Sequence, residues 1–417
     1  MTIDLFPEAT RTAGLERMKA FAPKMGRVYA SGRNADPGAE LLLDNDEGAV
    51  SVLSPFVRHR LVTEREAVET ALSRFSYSTA EKFIQEVCWR TYWKGWLELR
   101  PSIWRDYIEA RDHALPNVED DSGLRERFEA AVTGRTGLEC FDQWIGELKD
   151  TGYLHNHTRM WFASIWVYTL DLPWALGADL FMKHLADADA ASNTLSWRWV
   201  CGLQTKGKTY LARASNIARY TNGRFNPQWQ LATDAPALDG PPHPLVSTLA
   251  AEEPIIGERI GFLITDEDCH PMETLSGMPS PVAIASVFTA DTRSPSGAGE
   301  VSVEFSKAAL ADASQRVSSE TGLEVSVLSP AALKDWADEN DLDAVVTSWI
   351  PTGPTRDAVT STGISLTERR RSWDNAFWPH ATRGFFPFKE KIPSVLADLG
   401  MDVAPPRRKS SKKRAHR

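Results

Sequence analysis

Cysteine is scarce in this chain. Four occur in 417 residues, Cys88, Cys140, Cys201 and Cys269, and no two stand close enough to form a C-x-x-C pair. That spacing excludes a ribbon-type zinc site and the disulfide framework of small secreted domains, so no metal is expected. Long apolar runs are missing too. No 18 consecutive apolar residues occur, which gives no helical membrane span and no membrane partner. The opening MTIDLFPEATRTAGLERMKAF lacks the unbroken apolar core of a signal peptide, so a cytoplasmic location is expected. An excess of positive charge is also absent: the formal net charge is −9. A global field attractive to nucleic acid is thereby excluded, and any such partner must be met by a local patch. There is no internal repeat. Nothing in the sequence calls for self-association, and a monomer is expected.

What is present is tryptophan. The chain holds 15, eleven of them before residue 230. Each is a large ring with an N–H that needs a partner, so the cluster suggests stacking surfaces or electron relays as well as core. The charge is also uneven. Seven Lys and Arg sit in Arg407–Arg417 without an acid, which leaves −16 on the rest. That tail has no apolar face and reads as disordered over 401–417.

The texture changes along the chain. Residues 1–231 read as mostly helical, with apolar residues at helical spacing over Glu81–Leu99 and Asn156–Leu170. Ala232–Pro254 is rich in Ala, Pro and acid and reads as a linker. Over 255–400 short β-branched runs follow: Ile260–Thr265, Val282–Phe288, Leu323–Leu328 and Ala344–Ile350. Helix-like stretches separate several of them. That alternation predicts a doubly wound, parallel α/β sheet.

Several segments carry chemistry. Asp187-Ala-Asp-Ala-Ala-Ser-Asn-Thr-Leu-Ser-Trp-Arg-Trp199 joins two acids, an amide and two indoles. Thr151–Met160 (TGYLHNHTRM) puts Asn156 and Arg159 on one helical face, and Gln85–Trp93 (QEVCWRTYW) pairs Gln85 with Trp89 and Glu86 with Arg90. Val50–Pro55 (VSVLSP) is a hydroxyl-rich turn able to offer donors to phosphate. A rival motif stands beside them: Gly202-Leu-Gln-Thr-Lys-Gly-Lys-Thr209 satisfies G-x-x-x-x-G-K-[ST], and Phe262–Asp268 (FLITDED) resembles a Walker-B strand. A phosphate loop needs a strand before it and a helix after it.

In this order, and with GRTG (Gly134–Gly137) between them, the first four segments resemble the FAD-binding domain of the photolyase/cryptochrome family over Arg27–Asn226. The resemblance implies a helical, FAD-binding fold. It places Tyr29, Ser51, Leu53 and Ser54 at the phosphates and ribityl chain. Gln85, Glu86 and Arg90 fall on the helix lining the pocket. Arg159 and Asp187 match an ion pair beside the flavin, Asp189 a group bonding it, and Asn193 the residue facing flavin N5. Asn156 also falls in the pocket. Trp197 and Trp174 match the first two members of an electron relay.

On the substrate side, the resemblance makes Trp89 and Trp199 walls of a dimer pocket, touched by Met160 and Asn156. Glu86 matches the acid that bonds the dimer carbonyls. Arg58, His59, Arg60 and His157 are expected at the pocket mouth, holding phosphates of damaged DNA, with Lys206 and Lys208 in a basic loop. The expected activity is light-driven repair of cyclobutane pyrimidine dimers. A cryptochrome-like photoreceptor, and the NTPase implied by the rival motif, are the alternatives. The sequence also departs from the family. Its relatives place the α/β domain first, whereas here it follows, closed by Ser372–Pro393. The relay's third tryptophan is missing from its usual place. The opening IGFLITDEDCHPME lacks the family's Arg-containing motif, so no antenna chromophore is carried over.

Overall fold

The computed structural model describes residues 4–42 and 48–403. The basic tail Arg407–Arg417 lies outside the described residues. The helices that bear on the site are α1 (Arg27–Gly32), α2 (Ser54–Arg58), α3 (Tyr77–Glu98), α4 (Ser102–Asp120), α5 (Asn156–Ser164), α6 (Trp174–His184) and α7 (Ala190–Val200). α3 buries Phe83, Ile84, Cys88, Tyr92 and Trp96 along one side. α7 begins where the Asp189 carboxylate accepts from the Ser192 N–H at 2.7 Å, a side-chain cap that satisfies one of the free donors of the first turn. α5 is capped in turn by His155, whose Nδ1 accepts from the His157 N–H, and its far end widens into a π-turn over Ile165–Thr169.

The second half is built on five strands, β1 (Ile260–Thr265), β2 (Ala283–Val287), β3 (Val325–Leu328), β4 (Ala344–Ser348) and β5 (Leu366–Arg369). They lie in the order β3-β2-β1-β4-β5, and every pairing is parallel. Side chains alternate across a strand, so β1 feeds two faces. Ile260, Phe262 and Ile264 join the large core shared with the helical half, whereas Leu263 joins a smaller core with Leu333, Trp336 and Val359. The expected mostly helical region and the doubly wound sheet are both present. β1 lies where the sequence placed it; β5 was not foreseen. Ala232–Pro254 holds no helix or strand and is pinned along the surface, for example by the Ser247 N–H donating to Leu99 O at 2.9 Å. Among the described residues, no helix is long and apolar enough to cross a membrane.

The order of strands reverses direction at β1 and β4, the place where doubly wound sheets usually open a crevice. Here side chains of the helical half fill it. Arg58 at the end of α2 is buried; its Nη2 donates to Glu267 Oε1 at 2.7 Å and its Nε to Ala188 O at 2.8 Å. Arg60 is buried against Asp374 and Asp268. His59 is buried as well, bonded to Pro55 O and Ser306 Oγ, and burial beside Arg58 pushes its pKa well down. The expected phosphate contacts of Arg58, His59 and Arg60 are therefore corrected. A guanidinium with 2% of its surface exposed cannot meet a phosphate backbone. These residues lock the two halves together.

Beyond β5, α8 (Ser372–Phe377) and α9 (Phe385–Lys389) return to pack on α3, and α10 (Ile392–Asp398) packs on α8. Trp373 Nε1 donates to Thr91 Oγ1 at 3.0 Å, and the Tyr92 hydroxyl donates to Arg383 O at 2.9 Å. Gly95 is required here: a Cβ would stand 2.8 Å from the Trp378 ring.

Candidate functional site

α3 presents Glu86, Trp89, Arg90 and Trp93 at i, i+3, i+4 and i+7, one stripe of a helix. The stripe faces two adjoining cavities. One, of about 240 Å³, is lined by Tyr29, Arg33, Ser51, Val52, Leu53, Ser54, His155 and His157. The other, of about 410 Å³, is lined by Trp89, Met160, Asp189, Asn193, Trp197 and Trp199. Glu86, Arg90, Asn156, Arg159 and Asp187 line both, so the two spaces adjoin along a shared wall.

The electrostatics follow from burial. Arg159 Nη2 meets Asp187 Oδ2 at 2.9 Å, the expected ion pair. Asp189 is buried between Arg90 at 3.3 Å and Lys94 at 3.2 Å, and although burial opposes ionisation, these cations hold its pKa well below the usual carboxylate range. Glu86 goes the other way: burial raises its pKa, and Arg33 at 3.4 Å offsets this only in part. The pKa values of two carboxyl groups on one cavity wall are thus pushed apart, Asp189 downward and Glu86 upward.

The lining also carries polar atoms without partners. Ser54 Oγ, Asp187 Oδ1 and Trp197 Nε1 are buried and make no hydrogen bond within the chain. Buried polar groups are normally satisfied, so three such atoms on residues lining the two adjoining cavities fit a polar ligand. Val52 holds φ at +49°, an uncommon backbone state for a β-branched residue. Strain at a cavity turn is of the kind found at ligand clamps.

Most of the residues expected in the pocket are brought together. Gln85 is not: its amide donates to Glu81 Oε1 at 2.7 Å, and it lines neither cavity because it sits off the stripe. Asn193 lines the larger cavity and donates from Nδ2 to Ala178 O at 2.8 Å, which leaves its oxygen as an acceptor. Trp197 meets Trp166 at 6.4 Å and Phe181 at 5.2 Å, while Trp174 meets Tyr107 at 5.9 Å; no ring contact joins Trp197 to Trp174 among the described residues. His157 stacks on Trp161 at 4.5 Å and lines the smaller cavity. Lys206 and Lys208 are exposed in the turns after α7.

Those turns dispose of the rival motif. Gly202–Thr209 follows the helix α7 and leads into an irregular stretch to Ala214, so no strand–loop–helix unit exists to cradle a phosphate. The acids of FLITDED are buried against Arg58, Arg60, Arg293 and Arg371 instead.

Sequence reasoning missed Arg33, Lys94, Glu267 and Phe385. Phe385 lies flat on Trp89, with ring centroids 3.5 Å apart and planes 12° from parallel, and backs that wall from the far end of the chain. Lys94 alone had a local signal, since it follows Arg90 by one helical turn.

Residues 83–231 match the family model of the FAD-binding domain of DNA photolyase. A deoxyribodipyrimidine photo-lyase of Thermus thermophilus is 32% identical over 210 residues, which is 49% of this chain and 45% of that one. Another, from Streptomyces griseus, is 28% identical over 214 residues, 46% and 45% of the two chains. A class III photolyase from Agrobacterium tumefaciens, of known structure, is 25% identical with a TM-score of 0.41, over 51% of this chain and 43% of that one. The match thus spans about half the length of the curated relatives. Helical fold, double cavity and matched domain define an FAD-binding protein. Through residues 83–231 the chain carries an FAD-binding domain of the DNA photolyase type, and its cofactor is FAD.

The orphaned Ser54, Asp187 and Trp197 atoms fit that cofactor. Replacing Asn193 with Asp is expected to alter the reduction and reoxidation rates of bound flavin more than the amount bound. A carboxylate in place of the amide oxygen changes the field around a developing charge in a site of low dielectric. Stopped-flow traces identical for both proteins would remove Asn193 from the flavin's neighbourhood.

Proposed function

We propose that this protein repairs cyclobutane pyrimidine dimers in DNA, using light and FAD. The observation that carries the reading is the larger cavity. Two indoles, Trp89 and Trp199, stand in its wall with Met160, Asn156 and Glu86, whose pKa burial raises. Flat apolar walls beside one carboxyl donor suit a pair of fused pyrimidines taken out of the stack, with ring faces to cover and carbonyls to bond. When bound, FAD supplies the photochemical electron; the chain positions and polarises. Tyr29, Ser51, Leu53 and Ser54 would hold the phosphate and ribityl portion. Arg90, Asn156, Arg159, Asp187, Asp189 and Asn193 would surround the ring. Trp197 and Trp174 would be the first two members of an electron relay, continued from Trp174 by Tyr107 at 5.9 Å and by Trp104, 5.1 Å further on. Lys206, Lys208 and His157 remain as the phosphate contacts, and DNA is the proposed partner of a monomer. The division at 232–254, helical unit first and α/β unit second, is part of the same reading.

The purified protein is expected to carry about one FAD per chain, read from its absorption before and after denaturation. A colourless protein that takes up no FAD would overturn the reading. A protein that binds FAD, photoreduces and repairs nothing would be a photoreceptor.

A further inference from the structure

The α/β half reaches the candidate flavin site through a chain of buried charges. Asp189 on the cavity wall is 3.2 Å from Lys94 Nζ, and Lys94 is 3.5 Å from Glu267 Oε2. Glu267 follows β1 and is held by Arg58 at 2.7 Å. Lys94 and Glu267 do not line either of the two cavities, yet the side chains of Asp189, Lys94 and Glu267 are all at least nine-tenths buried. The other charges that face this chain are Arg90, on Asp189; Asp266, on Arg58; Arg293, on Asp266 and facing Glu267; and Asp374, facing Lys94; the carboxyl of Glu98 lies near, its pKa raised by burial, and is bonded to Trp349 and Thr352.

We infer that Lys94 and Glu267 are positioning residues for the flavin: through Asp189 they set its redox balance, so that the α/β half is an electrostatic part of the flavin site. The inference rests on the proposed function, with FAD bound so that its ring lies beside Asp189. Lys94 ties the start of α7, and with it Asn193 and Trp197, to α3. Glu267 in turn cancels the Lys94 charge that would otherwise face the cavity through Asp189. In a buried setting a single uncancelled charge acts over several ångströms with little screening.

The sign of each change follows. Glu267→Gln leaves the patch more positive, which favours the electron-rich reduced flavin. Lys94→Met leaves it more negative and favours the oxidised form. The double variant removes the pair together and returns close to the wild type, as paired buried charges can be replaced jointly at little cost. Each single change should move the oxidised-to-reduced ratio at fixed potential on the order of tenfold, in opposite directions.

The test is a redox titration of FAD-loaded full-length proteins, with thermal unfolding of the same samples without FAD. Opposite shifts that cancel in the double variant support the inference, because loss of packing alone has no sign. Equal balances in all four proteins, or shifts of one sign that track thermal stability, would overturn it. Should Glu267→Gln not fold, Lys94→Met and the double variant still give the comparison. If the wild type binds no FAD, the functional reading fails first, and the two failures are distinguishable.

Discussion

Arg58→Ala is expected to lower the stability of the folded chain by about 3–5 kcal/mol, the cost of breaking a buried ion pair and stranding its partner. The guanidinium bonds Glu267, Ala188 O and Asp266 O at once, and its side chain has 1% of its surface exposed. Nothing else in reach supplies those donors together. Asp266 keeps Arg293 at 3.1 Å and Glu267 keeps Lys94, which places the loss nearer the lower bound. Under conditions where the variant stays folded, the salt dependence of DNA binding should match the wild type. A phosphate contact behaves oppositely: its loss barely touches stability and reduces the slope of log K against log salt by about one. Denaturant unfolding and a salt titration separate the two. A flatter salt slope with unchanged unfolding would return Arg58 to the DNA surface.

The reason Arg58 was misread from sequence is physical. Arg-His-Arg beside a flavin-site turn has the composition of a phosphate contact, and its partner at Asp266 lies 208 residues away. Local spacing carries no trace of such a partner. What spacing does carry was legible: the Glu86/Arg90 pair on α3, the Asn156/Arg159 face of α5, and the apolar run of β1. Those features repeat at the period of their own element, so a single sequence displays them. β5 (Leu366–Arg369) was invisible because an edge strand of alternating Leu, Thr, Glu and Arg looks like a loop. Its Glu368 accepts from Ile350 N and pairs with Arg356, contacts that only the fold creates. Glu267 and Phe385 belong to the same class, since each reaches the site from the far half of the chain.

Glu86 and Trp199 are expected to matter far more for repair than for folding, and in different ways. Trp199 lines the larger cavity with one side against Tyr210, ring centroids 5.7 Å apart. Its exchange for alanine removes a stacking partner worth about 1–3 kcal/mol per base, which predicts roughly a tenfold or larger loss of affinity for dimer-containing DNA. Glu86 should contribute little to that affinity, because its one hydrogen bond replaces another made to water. Its proposed part is to donate to a dimer carbonyl as negative charge develops there, and donation requires a proton, which a pKa raised by burial favours. Glu86→Ala is therefore expected to bind dimers almost normally and to repair them with a lower yield per absorbed photon. Wild-type yield should fall as pH rises through the raised pKa of Glu86, since the ionised carboxylate can only accept. Glu86→Gln keeps an N–H donor at every pH and should flatten that dependence. The measurement is light-dependent loss of dimers from a defined oligonucleotide at several pH values, beside equilibrium binding in the dark. Equal yields in the wild type and Glu86→Ala would remove the carboxyl from the chemistry. A glutamine variant with the wild-type pH profile would show that another group titrates.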